Sequence, residues 1–267
     1  MSQHEPRTMQ EAIQQIGKAM ITRYCQDGNT IRESQIISAI NMENVTGYGE
    51  VKECRDALIF SGIAPDGNSL AVELRVPTFD RKSWEKLQTI VHEMRHLSLL
   101  EMKSHMKDDL FAYEGKVGLE LSTRTIQKTS KGIVDLGGGT VGEGLSEALN
   151  DLESNEIAST IIKKTSKNSN QMMIPSYREM SRIIKDHPEM RKHLIDLEFS
   201  DLESYKKYIS ENPRYLDMLH AYDDMNELSK IVTGLRTPSN LRKQRLEPAT
   251  TATLRATEAF CETFEKA

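Results

Sequence analysis

Residues 89 to 100, "TIVHEMRHLSLL", constrain this chain more than any other stretch. On a helix of 3.6 residues per turn, His92 and His96 fall on one face about a turn apart, so both imidazoles can reach a single ion. Glu93 is rotated by about 100° from His92. That offset keeps its carboxylate off the ion and close enough to take a proton from a water beside it. Two ligands and a general base are the chemical content of HExxH on a helix. Trp84, Leu87, Ile90, Val91, Met94 and Leu97 recur at helical spacing and predict a helix from about 80 to 103, with Asp80 as its N-cap. Arg95, inside the motif, is expected to face solvent.

A catalytic zinc takes three protein ligands and keeps one open position, so a third ligand must come from another segment. "VGEGLSEALNDLES" offers Glu143, Glu147 and Asp151 on one helical stripe. Gly144 within that helix costs about 1 kcal/mol relative to Ala. A solvated acidic helix accounts for the charges, whereas a close approach of another helix or an ion to the backbone accounts for the glycine.

The remaining chain is read from its periodicity. Helices are expected over about 9–27, 33–42 and 49–60, "APDGNS" as a turn, and "LAVELRV" at 70–76 as a half-buried strand. Two β-like pieces, "KVGLELSTRTI" and "GIVDL", flank the turn-forming "QKTSK", and a glycine turn leads into the acidic helix. "TSKNSNQ" at 165–171 reads as a linker, followed by four helical segments punctuated by Pro188 and Pro213 and a polar tail with one amphipathic candidate near 250–265. The expected fold is α+β and mostly helical: an N-terminal helical segment (1–67), a core with the HExxH helix and a small β-hairpin (68–164), a C-terminal helical subdomain (172–236) and a tail (237–267).

The two helical segments resemble the gluzincin zinc metallopeptidases, in which a glutamate on a second helix completes an HExxH site. More narrowly, "GEGLSEAL" is similar to the "NEGLTEYL" segment of small bacterial and phage-associated metallopeptidases, which also resemble this chain at the hairpin "YEGKVGLEL". The likeness spans about residues 68 to 185. It implies a zincin-like active-site helix and a Zn2+ ion held by His92, His96 and a glutamate. Aligned on "NEG", the ligand is Glu143, and this longer match is the favoured one. Aligned on the "NEAISD" pattern of thermolysin-like enzymes, "SEALND" makes Glu147 the ligand and Asp151 the acceptor for a histidine N–H. Gly142 stands where the pattern has Asn. The resemblance further implies a metalloendopeptidase with Glu93 as general base, acting on a peptide or protein substrate, and a Tyr or His that stabilises the oxyanion. Tyr177 is the first candidate for that role; Tyr113 and His187 compete.

Composition limits the alternatives. A net charge of −5 with no long basic run disfavours nucleic acid as a partner. No stretch is long and apolar enough for a membrane span, the N-terminus lacks a signal-peptide pattern, and three scattered cysteines suit a reducing compartment, so a cytoplasmic location is expected. "LGGGT" lacks the lysine of a phosphate-binding loop. His105, His193 and His220 read as surface residues, and the 13 methionines as adaptable core. The competing functions are a catalytically silent relative that only binds, and a metal-dependent amidase for a non-protein amide.

Overall fold

The computed structural model describes residues 6–41, 45–48, 57–63, 70–77, 80, 83–130, 132–162, 175–234 and 239–265. They form an α+β, mostly helical fold that divides into two compact units: residues 1–100 with 152–172, and residues 101–151 with 173–267.

The first unit opens with helices α1 (Met9–Tyr24) and α2 (Thr30–Ile40). Thr8 Oγ1 accepts the Glu11 N–H at 3.1 Å, and Asn29 Oδ1 accepts those of Ile31 and Arg32, each at 3.1 Å. These side chains satisfy amide groups that a helix start leaves without partners. Ala12, Ile16 and Met20 carry the buried stripe of α1. A three-stranded sheet has the order β1 (Val45–Tyr48), β3 (Leu70–Pro77), β2 (Ala57–Ile63), with β1 parallel and β2 antiparallel to β3. β3 matches the strand read from alternation, but Ala57–Ile63 is a strand where a helix over 49–60 was expected. "ALIFSGI" is apolar, short and stops before a turn-rich stretch, and periodicity does not separate such a run from a helix. "APDGNS" and the linker at 165–171 lie outside the described residues.

Helix α3 (Trp84–Ser98) packs on β3, α2 and α1. It is shorter than the pattern suggests at both ends. Ser83, not Asp80, is the N-cap, accepting the Lys86 N–H at 3.3 Å. Leu99 closes the other end by donating its N–H to the Arg95 and His96 carbonyls. The chain then enters β4 (Leu100–Lys107), so 100–103 is extended.

In the second unit, β4, β5 (Leu110–Val117), β6 (Glu120–Thr129) and β7 (Gly132–Val141) form a four-stranded sheet in chain order. Asp108, at φ 55°, makes the β4–β5 turn, and Gly118, at φ 61°, makes the β5–β6 turn. Asp tolerates this left-handed region better than most residues, and Gly enters it freely. Gly137, Gly138 and Gly139 belong to β7 rather than to a turn. Helix α4 (Glu143–Ile161) begins in this unit and ends in the first. Helices α5 (Pro175–Asp186), α6 (Pro188–Glu198), α7 (Leu202–Glu211), α8 (Pro213–Gly234) and α9 (Ser239–Glu265) complete the bundle. α9 is the amphipathic candidate of the tail, extended towards the N-terminus. α8 and α9 pack along each other, with Tyr215, Met218, Tyr222, Met225 and Phe260 buried. Among the described residues no helix is long and apolar enough to cross a membrane.

Candidate metal centre

The HExxH segment lies within α3, whose buried stripe of Leu87, Ile90, Val91 and Met94 fixes the helix's rotation. That rotation places His92 and His96 side by side, with ring centroids 4.7 Å apart and the planes at 79°. Their Nε2 atoms are 3.1 Å apart. Two nitrogens each about 2.0–2.1 Å from a tetrahedral ion would stand about 3.3 Å apart, so the pair has the separation two ligands of one ion need. Ligation requires the Nδ1–H tautomer of both rings. His96 is 7% exposed and Glu93 5% exposed, so the base candidate sits in a mostly dry environment.

Arg95 does not face solvent. It is 0% exposed, its Nε donates to the Tyr24 hydroxyl at 3.0 Å, and its guanidinium carbon lies 5.6 Å from that ring's centroid. Tyr24 in turn donates to Glu153 Oε2 at 2.7 Å, and Arg23 Nε donates to the same oxygen at 2.6 Å. Arg23 Nη2 also reaches Glu156 at 2.5 Å. Within the first unit, α3 is therefore tied through α1 to the C-terminal half of α4 by a chain of charge-assisted hydrogen bonds around the fully buried Glu153. No spacing rule links residues this distant in sequence, and the sequence offered no signal for Tyr24 or Glu153.

The acidic candidates stand at the start of α4, in the second unit. Glu143 accepts from Lys230 at 2.9 Å, and its side chain is 39% exposed. Glu147 lies one turn further on and is partly buried, and Asp151 is buried another turn along. The glycines now have a cause. A Cβ on Gly144 would stand 2.4 Å from the Tyr222 carbonyl oxygen, so α4 and α8 approach backbone to backbone. Gly142 has φ 85°, and a Cβ there would meet the Leu119 carbonyl at 2.4 Å. Both the conformation and the contact therefore select glycine at this position.

The oxyanion candidates are placed as follows. Tyr177 is buried on the packing stripe of α5 with Met180 and Ile184. Tyr113 stands beside Arg124 on the sheet. His187 donates Nδ1–H to the Ile183 carbonyl at 2.8 Å just before α6. His193, expected on the surface, is half-buried against Tyr208 and Phe264, with Nε2 2.8 Å from the Tyr208 hydroxyl, and burial lowers its pKa. His105 and His220 are exposed.

Nothing matches this chain among known protein families, curated proteins or solved structures.

Proposed function

We propose that this chain is a zinc-dependent endopeptidase of the HExxH type. The observation that carries the proposal is the His92–His96 pair, two Nε2 atoms 3.1 Å apart on a helix that also buries Glu93. His92, His96 and Glu147 would hold the ion. The choice of Glu147 over Glu143 is supported by the Glu143–Lys230 ion pair, which engages the competing carboxylate. Asp151, one turn past Glu147, is the candidate acceptor for a ligand imidazole's N–H.

Zinc, when bound, supplies a Lewis acid that lowers the pKa of water and polarises a scissile carbonyl. Glu93 takes the water's proton and delivers it to the departing amine. Its buried setting strengthens that role, because a carboxylate with little competing solvent interacts more strongly with the proton it moves. Tyr177 remains the proposed oxyanion stabiliser, and a peptide or protein segment the substrate. A cytoplasmic location fits the free thiol of Cys25.

The test is zinc content by mass spectrometry together with cleavage of a denatured protein mixture. Wild type is expected to carry one zinc per chain and to cleave, and Glu93→Gln to keep the zinc while losing roughly 10²- to 10⁴-fold in rate. Zinc with no Glu93-dependent cleavage of peptides would point to a silent binder or an amidase. Absence of zinc from the purified and zinc-supplemented protein would end the proposal.

A further inference from the structure

We infer that Asp223, on α8, is a positioning residue for the metal-binding carboxylate of α4. The inference rests on the zinc reading above, with Glu147 as ligand. Asp223 Oδ2 accepts the N–H of Gly142 at 2.7 Å, and its Oδ1 accepts the N–H of Gly144 at 2.8 Å. One carboxylate thus spans the first amides of the helix, where orphan donors and the positive end of the helix dipole favour an anion.

The same contact sets the helix's position and rotation. Gly144 lets the α4 backbone close onto the Tyr222 carbonyl, the residue before Asp223, and Gly142 adopts φ 85° so that its N–H can turn towards the carboxylate. One turn of the same helix separates Glu143, which is paired with Lys230 of α8, from Glu147. Two anchors on α8, Asp223 and Lys230, therefore hold the first turn of α4. A helix transmits a rotation of its first turn directly to the next, so the direction of the Glu147 side chain depends on this clamp. Burial raises the pKa of Asp223, and the two amide hydrogen bonds offset part of that shift. Ser146, on the following turn, adds a third fixture by donating to the Val117 carbonyl at 3.0 Å and accepting the Leu119 N–H at 3.2 Å.

A cap that merely stabilised the fold would have no specific bearing on metal affinity. The experiment therefore compares zinc affinity, by chelator competition, for the full-length wild type, Asp223→Ala, Asp223→Asn and a matched control, Asp201→Ala. Asp201 also holds a helix start, as the local N-cap of α7, accepting the Ser204 N–H at 2.9 Å. Circular dichroism of the zinc-free proteins checks their folding. Removing a partner that orients a metal ligand typically weakens affinity about 10- to 100-fold. Asp223→Ala is expected in that range, Asp223→Asn between it and wild type because its amide oxygen still accepts one N–H, and Asp201→Ala at the wild-type value. If Asp223→Ala does not fold, the comparison of Asp223→Asn with Asp201→Ala carries the test. Wild-type affinity in both Asp223 variants, or equal weakening in Asp201→Ala, overturns the positioning role while leaving the zinc reading intact. A wild type that binds no zinc overturns both.

Discussion

The two units are stabilised by opposite means. The first surrounds a fully buried carboxylate, Glu153, with Arg23 and Tyr24, and Arg95 joins them through the Tyr24 hydroxyl. The second buries phenolic hydroxyls and a cation bonded to the main chain: Tyr205 donates to the Leu119 carbonyl at 2.5 Å and meets Tyr215 at 2.9 Å, while Lys116 donates to the Glu198 carbonyl at 2.6 Å beneath the Tyr205 ring. The contrast separates a unit whose buried charge is matched by partner side chains from one whose buried cation is held by a main-chain carbonyl. α3 carries the histidine pair, and the ion network fastens α3 itself. A buried network of this kind specifies geometry more than it adds stability, provided every member stays paired.

The largest effect is expected from breaking the network. Glu153→Ala removes the acceptor that Arg23 and Tyr24 share and should cost about 3–5 kcal/mol, read from urea unfolding. A loss below about 1 kcal/mol would mean that the charges hold no register and that the two units do not differ in kind.

Next comes Lys116. Burial pushes its ammonium down to about 8 from the ordinary 10.5, with Glu198, Glu101 and Asp201 only partly compensating. Between those values the unfolded chain holds a proton that the folded chain has lost, so stability should rise as pH increases from about 8 to 10.5 and be pH-independent, as far as this group is concerned, below about 8. The penalty at neutral pH is of the order of 3 kcal/mol. Lys116→Met should therefore unfold at higher urea concentration at pH 7 and lose the alkaline rise. An unchanged alkaline slope in the variant would show that Lys116 is not the group responsible.

A smaller effect sharpens the helix contact. Gly→Ala within a helix normally gains about 1 kcal/mol. At Gly144 the new Cβ would stand 2.4 Å from a backbone oxygen, so Gly144→Ala should instead destabilise by about 1–3 kcal/mol. A gain would show that α4 and α8 can separate freely.

Much of this architecture was legible because periodicity reports local geometry. The stripe from Leu87 to Leu97 placed His92, Glu93 and His96 on one helix, and the prolines at 188 and 213 marked helix starts. Asp-Asp signals the turn at Asp108 weakly compared with Asn-Gly, so the pattern carries α3 on to about 103, over the first residues of β4, and gives the rest of that strand no element. Arg95 was misjudged for another reason. A helical wheel shows which way a residue points but not what stands there, and Tyr24 is supplied from 71 residues away. Gly144 lies between these cases, since its cost signalled a close partner without naming α8.

The most direct test of the central claim is zinc affinity in Glu147→Gln and Glu143→Gln, measured beside wild type. With Glu147 as the third ligand, its loss should weaken binding by at least about 100-fold, while Glu143→Gln, which removes only the partner of Lys230, should stay within about threefold of wild type. Wild-type affinity in Glu147→Gln, with binding lost in Glu143→Gln, would contradict the account and return the role of ligand to Glu143.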